Sequence, residues 1–406
     1  MQNGVSDEIW KGTINESEKM NLPGIGGIRL FNHYDLARNQ FMLTGSFSKK
    51  GYDWWWHSFT AVNEKTGEEK PFFIEYYLCN PALGQENPVL GQLPENQKCG
   101  NRPSYLMVKA GCWGPEHRQV HRFFAWNEVR VSKGVPYSIE AGDCYASDQI
   151  LKGRVEVSPE EVIAHPEYMC DAGSLNWDLK LDKQVAFNVG YGASGLFRAL
   201  KAFEMYWHAE GMKTQVSGTI ILNGEKYVVH PETSYGYADK NWGSNFTSPW
   251  VWLSSNHLVS RKTGEQLHNS VFDIGGGRPK IYFLSLERKL LGAFWYEGKE
   301  YEFNFSKFWT MPKTKFSARE TETEIQWNVI QENHHAVMHT EVRCKKADML
   351  LVNYEAPDGT KRHNRLWNGG NAIGRIRLYQ KKGKHRILVD DIDAFNIVCE
   401  YGEFTE

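Results

Sequence analysis

No stretch of this 406-residue chain has the length and apolarity of a transmembrane helix, so a membrane span is not expected. The opening Met1-Gln-Asn-Gly-Val-Ser-Asp-Glu8 has neither a basic segment nor an apolar run, which argues against an export signal. Charge of one sign is missing too. With a net charge of −2, no strong field would draw nucleic acid or a membrane surface. The seven cysteines are odd in number and never spaced Cys-x-x-Cys. Reduced thiols in a soluble cytoplasmic protein are the expectation. Gly275-Gly-Gly277 lacks the Gly-x-Gly-x-x-Gly context of a dinucleotide site, and no Gly-x-Ser-x-Gly elbow supports serine hydrolysis. His334, His335 and His339 on a strand would not converge on one ion. Neither a metal nor a cofactor is expected.

Aromatic residues are plentiful: 14% of the chain, with fifteen Trp. Hydrophobic content of 41% and charged content of 24% are globular values. So many indoles suggest large ring surfaces lining a cavity. Short alternating segments with turn signals recur along the chain, the pattern of all-β barrels or sandwiches. In Tyr52-Asp-Trp-Trp-Trp-His-Ser-Phe59 the even positions Trp54, Trp56 and Ser58 oppose Asp53, Trp55, His57 and Phe59. Asn223-Gly224 between two β-rich runs marks a hairpin. Ser158-Pro-Glu-Glu161 opens a short helix, and Ser194–Phe203 reads as another. Length favours two domains, 1–200 and 201–406. An internal echo agrees. Trp54-Trp-Trp56 precedes Lys65-Thr-Gly-Glu68, and Trp250-Val-Trp252 precedes Lys262-Thr-Gly-Glu265, about half the chain away.

The densest segment is Ser234-Tyr-Gly-Tyr-Ala-Asp-Lys-Asn-Trp-Gly-Ser-Asn-Phe246, followed by Pro249-Trp-Val-Trp-Leu-Ser-Ser-Asn256. Loops are rarely so aromatic and strands rarely so polar. The mixture suits the wall of an apolar pocket with a few fixed polar groups.

These residues resemble the tocopherol cyclase-like family. There, a Tyr-x-(Asp/Glu)-Lys-Asn-Trp-Gly-x-x-Phe block, here Tyr237–Phe246, precedes Trp-x-Trp-x-x-x-Asn, here Trp250–Asn256. Gln215–Ile220, Gly275–Arg278 and Tyr301–Phe303 extend the match. Tyr52–His57 and Phe73-Ile-Glu-Tyr-Tyr-Leu-Cys-Asn-Pro81 carry it more loosely into the first half, with Trp-Trp in place of Gly-Trp. Tyr237-Ala-Asp239 is also similar to a stretch of the carotenoid 1,2-hydratases. The resemblance implies an all-β fold of two lipocalin-like barrels with a few short helices. It also implies protonation of a carbon–carbon double bond without a cofactor.

That chemistry needs a carboxyl still protonated near neutrality, and burial among aromatics supplies one. Asp239 is the candidate acid. On a strand it shares a face with Tyr237, while Lys240 points away. The competing reading pairs Asp239 with Lys240 or Arg278. Tyr235 and Tyr237 would orient a phenol or donate to Asp239. Trp242, Trp250 and Trp252 would stack on a ring and shield a carbocation, with core packing as the alternative. Asn241 and Asn256 would bind substrate or simply tie the turn. In the first half, His57 is the candidate base, Trp54, Trp56 and Glu75 line the site, and Asp53 is of second rank. His208 would close the cavity.

The expected function is intramolecular closure of an oxygen heterocycle on a hydrophobic aromatic substrate, a prenylated quinol or a chalcone-like polyphenol. An alkene hydratase and a non-catalytic lipocalin-like carrier are the rivals. The Trp echo places the opposite wall in the other half of the chain.

Overall fold

A computed structural model describes residues 27–403 apart from 85, 133, 189–203, 278–279, 282–283 and 286–288. The helix expected at 194–203 lies outside these. The fold is all-β and lipocalin-like, and among the described residues its helices are short. Among the described residues every ladder is antiparallel, as expected for strands joined by hairpins and short loops.

Among the described residues thirteen strands form the first sheet. Its order is Arg118–Phe124, Tyr105–Cys112, Glu69–Cys79, Tyr52–Asn63, Glu225–Val229, Met205–Leu222, Gly173–Phe187 and Ile150–Val157, then three short strands down to Val129–Ser132. Gly236–Gly243 pairs with both Met205–Leu222 and Tyr52–Asn63. Eleven strands form the second sheet, from Lys299–Phe303 through Val271–Gly277, Trp250–Ser255, His385–Gly402 and Lys361–Lys382 to Lys313–Glu320. The expected boundary at residue 200 therefore does not coincide with the break between sheets. Met205–Leu222 runs along Gly173–Phe187 in a long ladder, which draws the Tyr-x-Asp block into the first sheet. The break falls between Gly243 and Trp250.

Local signals act as the sequence suggests. Asn223 (φ 51°) and Gly224 (φ 87°) form the hairpin turn, where positive φ favours these two residue types. Ser158 caps Pro159–Ala164, its Oγ accepting from Glu161 N at 3.2 Å. The two Lys-Thr-Gly-Glu turns are built alike. Asn63 N donates to Glu68 O and Ser260 N to Glu265 O, both at 2.9 Å. Thr66 Oγ1 and Thr263 Oγ1 each accept the following Glu N–H at 3.2 Å. Gly67 and Gly264 adopt φ of 73° and 77°.

Alternation along the strands divides the interior into three layers. Trp55, Phe59, Phe72 and Ile74 fill the first barrel. Val251, Leu253, Phe272 and Ile274 fill the second. Trp54, Trp56, Phe73, Tyr77, Trp207, Tyr237, Trp250 and Trp252 lie between the two sheets. Trp113 crosses this middle layer. Its Nε1 donates to Asn368 Oδ1 at 2.7 Å, and its ring lies where a Cβ on Gly370 would stand. Gly275 gives Trp207 similar access. Close ring approach requires glycine at 370, where a Cβ would stand 2.1 Å from a Trp113 carbon; at 275 the Trp207 ring would lie 3.0 Å from it, a tight contact. All seven cysteines are free, and among the described residues no helix is long and apolar enough to cross a membrane.

Candidate active site

Gly236–Gly243 lies flat against Tyr52–Asn63, with Asp239 opposite Trp56, Lys240 opposite Trp55 and Asn241 opposite Trp54. The period of two then assigns faces. Tyr237, Asp239, Asn241, Trp54 and Trp56 look toward the second sheet. Lys240, Trp242, Trp55 and His57 look into the first barrel.

On the outward face, Asp239 Oδ2 accepts from Trp207 Nε1 at 2.7 Å and from Tyr237 Oη at 3.2 Å. The same hydroxyl lies 3.1 Å from Asp273 Oδ2, on the facing sheet. Asp273 Oδ1 accepts from Trp252 Nε1 at 3.0 Å. Burial holds both carboxyls well above the usual carboxylate range, and for Asp239 the Asp273 charge adds to the rise. Burial likewise keeps the Tyr237 phenol protonated. That phenol has one proton for two carboxyl oxygens. Both contacts are attractive only if one carboxyl holds a proton and donates it to the Tyr oxygen. The three side chains can thus hold an acidic proton between them within the aromatic layer.

Two further buried acids lie on these facing surfaces. Glu400 Oε2 accepts from Trp250 Nε1 at 2.5 Å and Oε1 from Asn368 Nδ2 at 2.6 Å, and burial pushes its carboxyl up to about 7. Glu75 Oε2 lies 3.1 Å from Lys109 Nζ and accepts from Tyr354 Oη at 3.2 Å. Burial raises its pKa, and Lys109 opposes the rise. Rings enclose the site: Trp56 meets Trp252 edge-on at 6.2 Å, and Trp54 stacks on Tyr354 at 4.8 Å.

Asp239, Tyr237, Trp54, Trp56, Glu75, Trp250 and Trp252 therefore share the inter-sheet layer. Other expected residues do not face it. His57 lies inside the first barrel, opposite Ala238, where burial drives its pKa down to about 3. Alternation from Trp56 forces this, so it is no partner for Asp239. His208 pairs across the ladder with Lys240 and is buried on that same inner side. Trp242 stacks on Tyr206 at 5.5 Å, on the Lys240 face. Tyr235 precedes the strand in a left-handed conformation (φ 43°), and its ring covers His257 at 4.0 Å. Asn256 Nδ2 ties Gly236 O at 2.9 Å and so anchors the block to the second sheet. Lys240 pairs with Asp53, not with Asp239.

The residues that sequence reasoning missed are Asp273, Glu400, Lys109, Trp207 and Tyr354. The first three shared a readable signal: a lone charge in an apolar strand, as in Val271-Phe-Asp-Ile274, Val398-Cys-Glu-Tyr401 and Leu106-Met-Val-Lys-Ala110. Among the described residues no three His, Cys, Asp or Glu side chains form a metal-ligand group.

Comparison with known proteins follows this geometry. Kievitone hydratase from Nectria haematococca aligns over 89% of this chain and 93% of its own, at 12% identity and a TM-score of 0.46. A Nitrosomonas europaea protein described as AttH aligns over 90% and 98%, also at 12% and 0.46. CghA with Sch210972 aligns over 88% and 89%, at 10% and 0.43. Comparison with curated proteins gave no match. The family model described as tocopherol cyclase-like matches residues 146–396, more than half of the sequence and including the whole Tyr237–Asn256 block. The chain belongs to the tocopherol cyclase-like family.

Proposed function

We propose that this protein is an enzyme that protonates a carbon–carbon double bond of a hydrophobic phenolic substrate and closes an oxygen heterocycle. The observation that carries this reading is the single Tyr237 hydroxyl held between the Asp239 and Asp273 carboxyls. The shared proton passes to one alkene carbon, or to the carbonyl of a conjugated enone. Positive charge develops on the other carbon, where the faces of Trp54, Trp56 and Trp252 stabilise it. The substrate's phenol oxygen forms the new C–O bond. Its proton leaves to a carboxylate, and Glu400, pushed up to about 7, is suited to take it near neutrality. One proton enters and one leaves, so the step is an isomerisation.

A hydratase reading has one observation in its favour. Asp239 Oδ1 and Glu75 Oε1 are buried on this face without protein partners and would hold a water. The two readings separate in ¹⁸O-labelled water. With 2′-hydroxychalcone or a prenylated hydroquinone, a ring-closed product of unchanged mass supports the cyclase. A product carrying ¹⁸O supports the hydratase. Saturable binding with no product would leave a lipocalin-like carrier and sink both.

A further inference from the structure

Five strands of the first sheet each place one residue along a single line across the face that meets the second sheet. In register order these are Asp239, Trp56, Glu75, Lys109 and His121. Adjacent strands lie about 4.8 Å apart, so the line runs roughly 19 Å from Asp239 to His121. The chemistry above uses the Asp239 end. The His121 end has no part in it, yet it holds polar atoms without protein partners. His121 is 4% exposed, and neither ring nitrogen is hydrogen-bonded. Asn353 brings a second buried, unpartnered atom, Oδ1, from the other sheet. Both residues line a niche of about 10 Å³ walled by Tyr105, Phe123 and Tyr168. A space of that size admits about one oxygen atom with its hydrogen. Lys109, next in the line, is paired with Glu75 and holds its Nζ 4.0 Å above the ring of Tyr354, which also lines the niche. Buried donors and acceptors are nearly always paired in folded proteins, so unpaired atoms around a space of this size call for an oxygen partner, a water or an oxygen of the ligand.

We propose that this niche is a second subsite, which receives a hydroxyl oxygen at the end of the substrate remote from the reacting double bond. The inference rests on the cyclase reading and narrows its substrate class. The substrate is an elongated phenol with oxygen at both ends, not a phenol with a bare hydrocarbon tail.

The probes are two rigid rods of about the length of this line, all-trans 1,4-bis(4-hydroxystyryl)benzene with an oxygen at each end and its monohydroxy analogue with one. Binding is read as quenching of tryptophan fluorescence. The wild type should bind the two-ended rod about tenfold more tightly, the worth of one good hydrogen bond to a buried partner. His121→Phe should bring the two rods to the same affinity. His121→Asn, which keeps hydrogen-bonding capacity, should retain part of the preference and guards against a folding defect. A purely structural role for His121 would weaken both rods equally and leave their ratio unchanged. Equal affinities in the wild type, a preference that survives His121→Phe, or no saturable binding of either rod would each overturn the subsite. These outcomes are separable from the acid chemistry. If Asp239→Asn abolishes turnover while the rods bind equally, the cyclase reading stands and the subsite falls. If Asp239→Asn turns over normally while the rod preference follows His121, the reverse holds.

Discussion

Asp239→Asn takes away one ionisable proton and leaves the surrounding hydrogen bonds in place. The amide oxygen can still accept from Trp207 Nε1 and Tyr237 Oη, which lie 2.7 and 3.2 Å from Oδ2. The amide nitrogen takes the place of Oδ1, which has no protein partner. Turnover of 2′-hydroxychalcone should fall by about 10²–10⁴-fold, the usual contribution of a general acid. At about 1.36 kcal/mol per factor of ten, that is ~2.7–5.4 kcal/mol of barrier. Stability should change in a different way. Burial sets the folded-state pKa of Asp239 well above the ordinary aspartate value of 3.8. A raised pKa means the fold binds the proton more tightly than the unfolded chain does. Wild-type stability therefore falls as pH climbs above that ordinary value, until the folded carboxyl ionises. The variant lacks this slope. Urea unfolding should show no difference at the acid end of the range, and an advantage for the variant that grows toward pH 8. A variant with turnover within about threefold of wild type, on the scale set above, would refute the acid assignment. An unchanged pH slope would refute the burial argument.

Glu400 gives a second pH test. Its pKa is raised from 4.5 to about 7 by burial, so between these values stability should fall with rising pH by up to roughly 3 kcal/mol, and Glu400→Met should flatten that slope in urea titrations. Lys109→Met leaves Glu75 buried without its cation and should cost about 3–5 kcal/mol at pH 8 by chemical denaturation, with most of the loss restored by adding Glu75→Gln. Gly370→Ala puts a Cβ 2.1 Å from a Trp113 ring carbon and should cost about 1–3 kcal/mol, read as a lowered Tm. Gly67→Ala and Gly264→Ala meet open space but a left-handed backbone, so each should lose about 1–2 kcal/mol, and by similar amounts.

Much of the Asp239 side of the site was legible because alternation is a strong constraint. Once Tyr237–Asn241 is a strand, Tyr237 and Asp239 must share a face and Lys240 must leave it. The same rule, carried one residue past Trp56, excludes His57, which lies on the Trp55 side. His208 and Trp242 are harder to place. The first barrel is itself full of buried polar and aromatic groups, among them Lys240 with Asp53 and Lys183 with Glu210 at 2.8 Å. Polarity inside a strand therefore did not mark the inter-sheet face uniquely. Asp273 and Glu400 could be noticed as lone acids but not located. What brings them to Asp239 is the docking of one sheet on another, with no local signature. The same limit applies to the division of the chain. Length and the internal echo suggested equal halves, but the ladder from Gly173–Phe187 to Met205–Leu222 carries the block strand across the midpoint.

The aromatic layer between the sheets also governs how the molecule comes apart. Trp113, Trp207 and the Tyr237 hydroxyl each reach from the first sheet to the second, so neither face is a finished surface alone. Separating the halves would expose indoles, phenols and buried acids together. Calorimetry should therefore record one cooperative transition for the two sheets, and any compound lodged between them should raise that single midpoint. The two halves expressed as separate chains, divided between Gly243 and Trp250, should aggregate alone and recover solubility when refolded together.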